Sequence, residues 1–299
     1  MPDTFLRLSP SRWLRLPAGG ALATLLAVTG CSTLAEKERE MVFRVVNGDA
    51  SWYDGQPEGL TEARLDVTDA DGKTQHINTW WWPAADAKAP TVLYLHGSRW
   101  NLTGQLFRIE QLHDFGFSVL AIDYRGFGLS DGKLPSEQTV YEDAQEAWQR
   151  LLQLQPDPGK RYIYGHSLGG AVAIDLAARL AHKPASENAH GLIVESSFTS
   201  LSEIAKSLSY SWLPIQLLLS QKFDSIDKIA QVNMPVLFLH GTNDRYVTSR
   251  FSQELYAATP TKKRLLLIEG GTHNNSLRLG FDAYRAAFKD LFGTLPAPS

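Results

Sequence analysis

Short runs of β-branched and aromatic residues alternate with helix-length amphipathic stretches along most of this chain. Thr91 to Leu95, Phe117 to Ile122, Arg161 to Tyr164, Gly191 to Glu195, Pro235 to Leu239 and Arg264 to Ile268 are largely apolar, and helix-length segments separate them. Runs of that kind suit strands covered on both faces, and the strand–helix alternation predicts an α/β fold with a mostly parallel central sheet. Helices are expected at about 103–114, 137–155, 169–182, 249–258 and 277–292. In the second of these, Val140, Ala144, Ala147, Trp148 and Leu151 share one helical face, and Pro156 stops the helix. Met41 to Val46, Ala63 to Thr68 and Thr74 to Trp82 come first with no helix between them, which predicts an antiparallel leading edge. Trp80, Trp81 and Trp82 alternate faces of the last of these strands and are expected to be core.

Two segments break the rhythm. Between Glu195 and Pro235 the chain runs far longer than a usual connection, and a long connection is commonly a lid or binding element. Its stretch from about 199 to 233 holds Leu208, Tyr210, Trp212, Leu213, Ile215, Leu217, Leu218 and Leu219, an apolar density costly to expose, so it is expected to cover an acyl pocket. Two plain packing helices are the alternative. At the N-terminus, Arg7, Arg12 and Arg15 precede an uncharged stretch from Leu16 to Gly30, too short for a comfortable bilayer span but suited to a secretion signal.

That stretch ends at Val28-Thr29-Gly30-Cys31, which resembles the bacterial lipobox. The resemblance implies a signal peptide over 1–30, lipid attached to Cys31, a tether or short helix over 31–40, and a folded domain over 41–299. Ser32 follows the cysteine, so the resemblance favours the periplasmic face of the outer membrane of a bacterial envelope. An uncleaved signal anchor and an incidental buried cysteine are the alternatives. Cys31 is the only cysteine, which excludes an intrachain disulfide and a cysteine-based zinc site.

Charge narrows the partners. The 299 residues carry a formal net charge of −3, which supplies no basic field for a phosphate backbone, so nucleic acid is not an expected partner. Gly126 to Lys133 looks like a phosphate loop, but its spacing fits neither the dinucleotide nor the P-loop fingerprint, and no His-Glu-x-x-His metal motif occurs. No metal or cofactor is expected.

Chemistry concentrates in Arg161-Tyr-Ile-Tyr-Gly-His-Ser-Leu-Gly-Gly170: a strand, a tight turn with Ser167 at its tip, then a helix rich in small residues. Gly165 and Gly169 leave room for a strained turn that holds the serine oxygen out, and the helix aims its amino end at the same place. Serine at neutral pH needs a base oriented by a carboxylate, in the chain order serine, acid, histidine. His273 follows the last strand and is the only one of eight histidines beyond residue 240, so it is the base candidate. Asp244, on the turn after the penultimate strand, is the acid candidate, with Glu195 as competitor. His96 and His240 end strands and are expected to support turns, while His166 is expected to point away from the site. The backbone N–H groups of Ser98 and Leu168 are expected to form an oxyanion hole.

Leu95-His-Gly97, Asp123-Tyr-Arg-Gly-Phe-Gly-Leu-Ser-Asp-Gly132, the serine elbow, Glu195-Ser-Ser-Phe-Thr-Ser200, Pro235-Val-Leu-Phe-Leu-His-Gly241 with Asp244, and His273-Asn274 together resemble the α/β-hydrolase superfamily, in particular the ABHD serine hydrolases related to protein depalmitoylases. The resemblance spans roughly residues 74–292. It implies about eight strands with a small helical lid, and hydrolysis of acyl esters or thioesters through an acyl-enzyme. Where the family commonly has Asn and Gly after His-Gly, this chain has Ser98, Arg99 and Trp100, a departure at the pocket wall. A prolyl-aminopeptidase-like peptidase and an inactive lipoprotein scaffold are the rival readings.

Overall fold

The computed structural model describes residues 33–46, 48–69, 71–207, 219–293 and 296. The chain divides into two compact units, residues 1–37 and 38–299. Of the first, residues 33–37 are described, and they are helical. Among the described residues no helix is long and apolar enough to cross a membrane.

The second unit is built on one eight-stranded sheet of order β1-β2-β4-β3-β5-β6-β7-β8. Its strands are β1 (Thr61–Thr68), β2 (Thr74–Trp82), β3 (Thr91–Leu95), β4 (Ser118–Ile122), β5 (Arg161–His166), β6 (Gly191–Glu195), β7 (Val236–Gly241) and β8 (Lys263–Ile268). β1 pairs antiparallel with β2, and β2 with β4; every other pairing is parallel. Strands β3 to β7 are buried throughout, as their continuous apolar runs require. β1 is an edge strand that carries Glu62, Arg64 and Asp66, charges that discourage pairing with another chain.

The leading edge departs from the sequence expectation. Residues 41–42 end a helix, and residues 43–46 form no strand beyond a single parallel bridge between Arg44 and Arg99. A strand needs a neighbouring strand, and Phe43 instead drops into the core, its ring 6.1 Å from that of Phe223.

Helices cover both faces: α1 (Leu102–Phe115), α2 (Glu137–Leu154), α3 (Leu168–Leu180), α4 (Leu201–Ala205), α5 (Ser225–Ile229), α6 (Arg250–Ala258), α7 (Ser276–Leu279) and α8 (Phe281–Phe292). Their ends follow local chemistry. The Asn101 side chain caps α1 by accepting from the Thr103 N–H, and Gly116 closes it in a left-handed conformation. Ser136 and Thr139 form a reciprocal capping box on α2. The helix expected over 277–292 is broken in two at Gly280, where a Cβ would lie 2.2 Å from Ile268 Cδ1. Close approach to β8 therefore sets the break.

One face of the sheet packs Trp148, Leu151, Val172 and Phe198 under α2 and α3; the other packs Phe115, Phe117, Tyr162, Phe288 and Phe292 under α1 and α8. Each such side chain, fully buried, contributes about 1.5–3 kcal/mol. Trp80 is buried, with Nε1 donating to Glu62 Oε2 at 2.7 Å, and is core as expected, while Trp81 and Trp82 are half-buried at the margins of opposite clusters.

The long connection after β6 begins with α4 and returns through α5. Its return is pinned by Glu38, whose carboxylate accepts from the Ser220 N–H and Oγ–H at 2.8 and 2.6 Å and from the Gln221 N–H at 2.8 Å. Most of the apolar residues expected to line a lid, Leu208 to Leu218, lie outside the described residues. So do Cys31 and the segment expected to be a signal.

Candidate active site

The serine elbow is built from steric necessity. Ser167 joins β5 to α3 with φ 56° and ψ −121°, a region costing a non-glycine residue about 1–3 kcal/mol. The neighbouring strand holds it there: the Ser167 N–H donates to Glu195 O at 2.9 Å, and Ser197 Oγ–H donates to Ser167 O at 2.9 Å. A Cβ on Gly165 would lie 2.2 Å from Gly169 O, and one on Gly169 would lie 2.0 Å from Leu95 O, so neither position admits a side chain. A Cβ on Gly97 would lie 3.2 Å from Ser167 Cβ, which puts the turn after β3 directly against the elbow.

That turn carries Ser98, whose N–H has no backbone acceptor among the described residues. Leu168 opens α3, so its N–H has no intrahelical acceptor either. Both are available to an oxyanion. The turn is braced from outside by the Arg44 N–H, which donates to Ser98 O at 2.8 Å, and from within by Gln105 Nε2, which donates to Arg99 O at 3.1 Å.

Parallel pairing of β7 with β8 sets Gly241 opposite Ile268, so the loops that follow are neighbours at the same end of the sheet. They bring His273 Nδ1 to 2.7 Å from Asp244 Oδ2. The other Asp244 oxygen accepts from the Tyr246 and Val247 amides, both at 2.9 Å. Burial alone would push the Asp244 carboxyl up. Hydrogen bonds from His240 and His273, the His273 charge and the Val247 amide outweigh it and hold the group well below the usual carboxylate range. Asp244 is therefore ionised at neutral pH, oriented to keep the His273 proton on Nδ1 and leave Nε2 free as a base. The His273 side chain is 13% exposed and the Asp244 side chain 0%, the division expected of a base that meets substrate and a carboxylate that does not.

Glu195 is removed from contention. Its Oε2 accepts from Arg108 Nε at 2.9 Å and from the Tyr164 hydroxyl, all three residues being buried. Arg108 in turn donates through Nη1 to Gln105 Oε1 at 3.4 Å, and Tyr94 OH donates to the same oxygen at 3.0 Å. The ion pair thus continues through Gln105 to the carbonyl of Arg99. Glu195 reaches the site only through its backbone oxygen, on Ser167.

One histidine does more than its strand position suggested, and two brace turns as expected. His166 does not point away: its Nε2–H donates to His273 O at 2.9 Å, tying the loop that carries His273 to the residue preceding the serine. Burial, the Arg108 charge and the His273 charge hold His166 well below the usual histidine range, so it is a neutral donor. Strand alternation says which face a residue takes, not which loop folds over that face. His240 braces the Asp244 turn, with Nδ1 2.7 Å from Ser252 Oγ and Nε2 2.8 Å from Val247 O and 3.3 Å from Asp244 Oδ2. His96 supports its own turn as expected: Nδ1–H donates to Gly97 O at 2.7 Å, and burial lowers its pKa to about 4. At the rim, Tyr246 is largely exposed and meets the His273 ring edge-on at 5.7 Å.

A family model described as serine aminopeptidase, S33, matches residues 86–225. An uncharacterized protein of Mycobacterium tuberculosis is 37% identical over 201 residues, covering 67% of this chain and 68% of its own. Lysophosphatidylserine lipase ABHD12 of Danio rerio is 33% identical over 202 residues, covering 62% of this chain and 51% of its own. The solved structure of esterase Pf2001 from Pyrococcus furiosus matches with a TM-score of 0.63 at 18% identity, over 85% of this chain and 99% of that one, a likeness of fold alone.

Proposed function

The chain belongs to the α/β-hydrolase superfamily, and from that premise we propose that it is a serine hydrolase that cleaves acyl esters or thioesters through an acyl-enzyme. Ser167 Oγ attacks the acyl carbon while His273 Nε2 takes its proton, and Asp244 stabilises the resulting imidazolium. The N–H groups of Ser98 and Leu168 hold the oxyanion. Collapse of the tetrahedral adduct expels the alcohol or thiol, which receives the proton from His273. Water then attacks the acyl carbon as His273 takes its proton, and collapse of this second adduct breaks the bond to Ser167 Oγ, which receives the proton from His273 as the acid leaves. The observation that carries this reading is the 2.7 Å contact of Asp244 with His273, on a loop bonded through His166 to the strained serine turn.

The test is labelling with a fluorophosphonate together with turnover of 4-nitrophenyl esters. Ser167→Ala is expected to abolish labelling and to cut turnover by roughly 10⁶, as triad knockouts do. Undiminished labelling of that variant refutes the assignment. The serine aminopeptidase description of the matching family model favours amide cleavage as a second reading, which faster turnover of aminoacyl anilides than of esters would support. We further propose that Cys31 carries lipid and tethers the domain to the envelope, on the strength of the lipobox resemblance and the basic and apolar segment before it.

A further inference from the structure

Resting on this reading of the site, we propose that Arg44 and Arg99 form a second binding element beside it, which receives an anionic group, phosphate or carboxylate, carried by the substrate away from the scissile bond. The two residues are partners in the isolated bridge that joins the N-terminal segment to the turn after β3. Bridge partners stand about 5 Å apart at the backbone, so this pairing carries two like charges on facing positions of the chain, and like charges repel. Both arginines are exposed, and among the described residues no carboxylate lies within 4.0 Å of either guanidinium. An incoming anion relieves that repulsion, and two planar guanidinium forks match the oxygens of a phosphate or carboxylate.

The surroundings hold this pair in place. Trp100, next to Arg99, has φ 67°, a strained value for a bulky side chain. Gly104 makes room for it: a Cβ there would lie 2.6 Å from Trp100 Cβ. The Trp100 ring packs against Trp52 at 4.7 Å and lies 5.4 Å from the Arg99 guanidinium carbon. Gln105 holds Arg99 O, and the Arg44 N–H holds Ser98 O. Arg99 stands two residues past Gly97, which abuts Ser167, so no more than about 8 Å of backbone separates it from that contact. The anion would thus sit a short distance outside the oxyanion hole, at the same wall of the site.

The test compares a matched pair of esters with one acyl chain, lysophosphatidylglycerol and the corresponding monoacylglycerol, below their micelle concentrations. Wild type is expected to favour the phosphate-bearing ester in kcat/KM by about tenfold or more, the effect of one charge-assisted hydrogen bond. Arg44→Gln with Arg99→Gln should raise KM for that ester and bring the ratio near one, leaving the neutral ester within about twofold. The lysine double variant should keep part of the preference, having charge without the fork. Equal loss on both esters, or a ratio the double variant leaves unchanged, overturns the proposal. Failure of the underlying reading is told apart by binding of dodecyl phosphate to Ser167→Ala, followed by tryptophan fluorescence, which requires no turnover. Saturable binding that weakens with salt and is lost in the arginine double variant supports the anion site even if neither ester is cleaved. Inorganic phosphate as competitor separates recognition of the anion alone from recognition of the whole lipid.

Discussion

Glu195 ends β6, the strand beside the serine's, and Asp244 lies on the turn after β7, and their isosteric amides should fail in different ways. In Asp244→Asn the remaining oxygen can still accept from the Tyr246 and Val247 amides, so the turn survives. The amide nitrogen then faces His273 Nδ1, which must accept, and the ring proton moves to Nε2, where it blocks uptake of the Ser167 proton. Loss of the correct tautomer costs on the order of 10⁴ in kcat elsewhere, and the same is expected here. Glu195→Gln keeps an oxygen toward Arg108 and Tyr164 but removes the charge that balances Arg108. Both partners of that ion pair are at most 1% exposed, and breaking a buried pair costs about 3–5 kcal/mol. In a chain of this size that lowers Tm by on the order of 10 °C. The assay is thermal unfolding alongside ester turnover normalised to fluorophosphonate-titrated sites, so that unfolded protein is not counted as inactive enzyme. A stable but inactive Glu195→Gln beside an active Asp244→Asn would show that the orienting carboxylate is Glu195.

Gly169→Ala forces a methyl against Leu95 O, so it should lose fluorophosphonate labelling and stability together, measured by gel fluorescence and urea unfolding. His166→Phe removes the donor to His273 O and should lower kcat by about tenfold with KM little changed, because it loosens the base and not the pocket. Burial raises the pKa of Asp123 to about 7 against the bonds from Leu102 and Asn78, so between about pH 4 and 7 the folded state holds a proton that the unfolded state has released. Wild type should therefore lose stability relative to Asp123→Asn as pH rises through that window, by about 4 kcal/mol in full; urea midpoints at pH 4.5 and 8 for both proteins check this. If residues 199–233 cover an acyl pocket, kcat/KM for two-, four-, eight- and twelve-carbon 4-nitrophenyl esters should climb about fourfold per added carbon until the pocket is full; a flat or acetate-favouring series rules that pocket out. Cys31→Ser should leave an uncleaved precursor that incorporates no labelled palmitate in a bacterial host, whereas an unlabelled full-length wild type would point to a signal anchor.

Much of this molecule is written locally. The buried strands announce themselves as continuous apolar runs, and helix ends fall at residues whose own side chains cap them, such as Asn101 and Ser136. The serine elbow is legible for the same reason: its left-handed turn depends on two glycines within two residues of Ser167. The pairing of Asp244 with His273 is nearly as legible, because each follows its strand directly and parallel neighbours deliver their trailing loops to one end of the sheet.

What escaped depends on residues that meet only after the chain has folded. Phe43 sits in a run that reads as a strand, yet its place is set by Phe223, far along the chain, and no strand lay beside it to complete a ladder. The break at Gly280 follows from the bulk of Ile268 on β8, which no helical period records. Glu195 reads as a possible catalytic acid until Arg108 is found against it, an ion pair 87 positions apart in the chain. His166 acquires its partner 107 positions later, and Arg44 and Arg99 become a charged pair only through one bridge. Periodicity and turn chemistry act over a few residues and are therefore carried by the sequence around them, whereas the orientation of a buried polar group is decided by whichever distant donor or acceptor packing brings within about 3 Å.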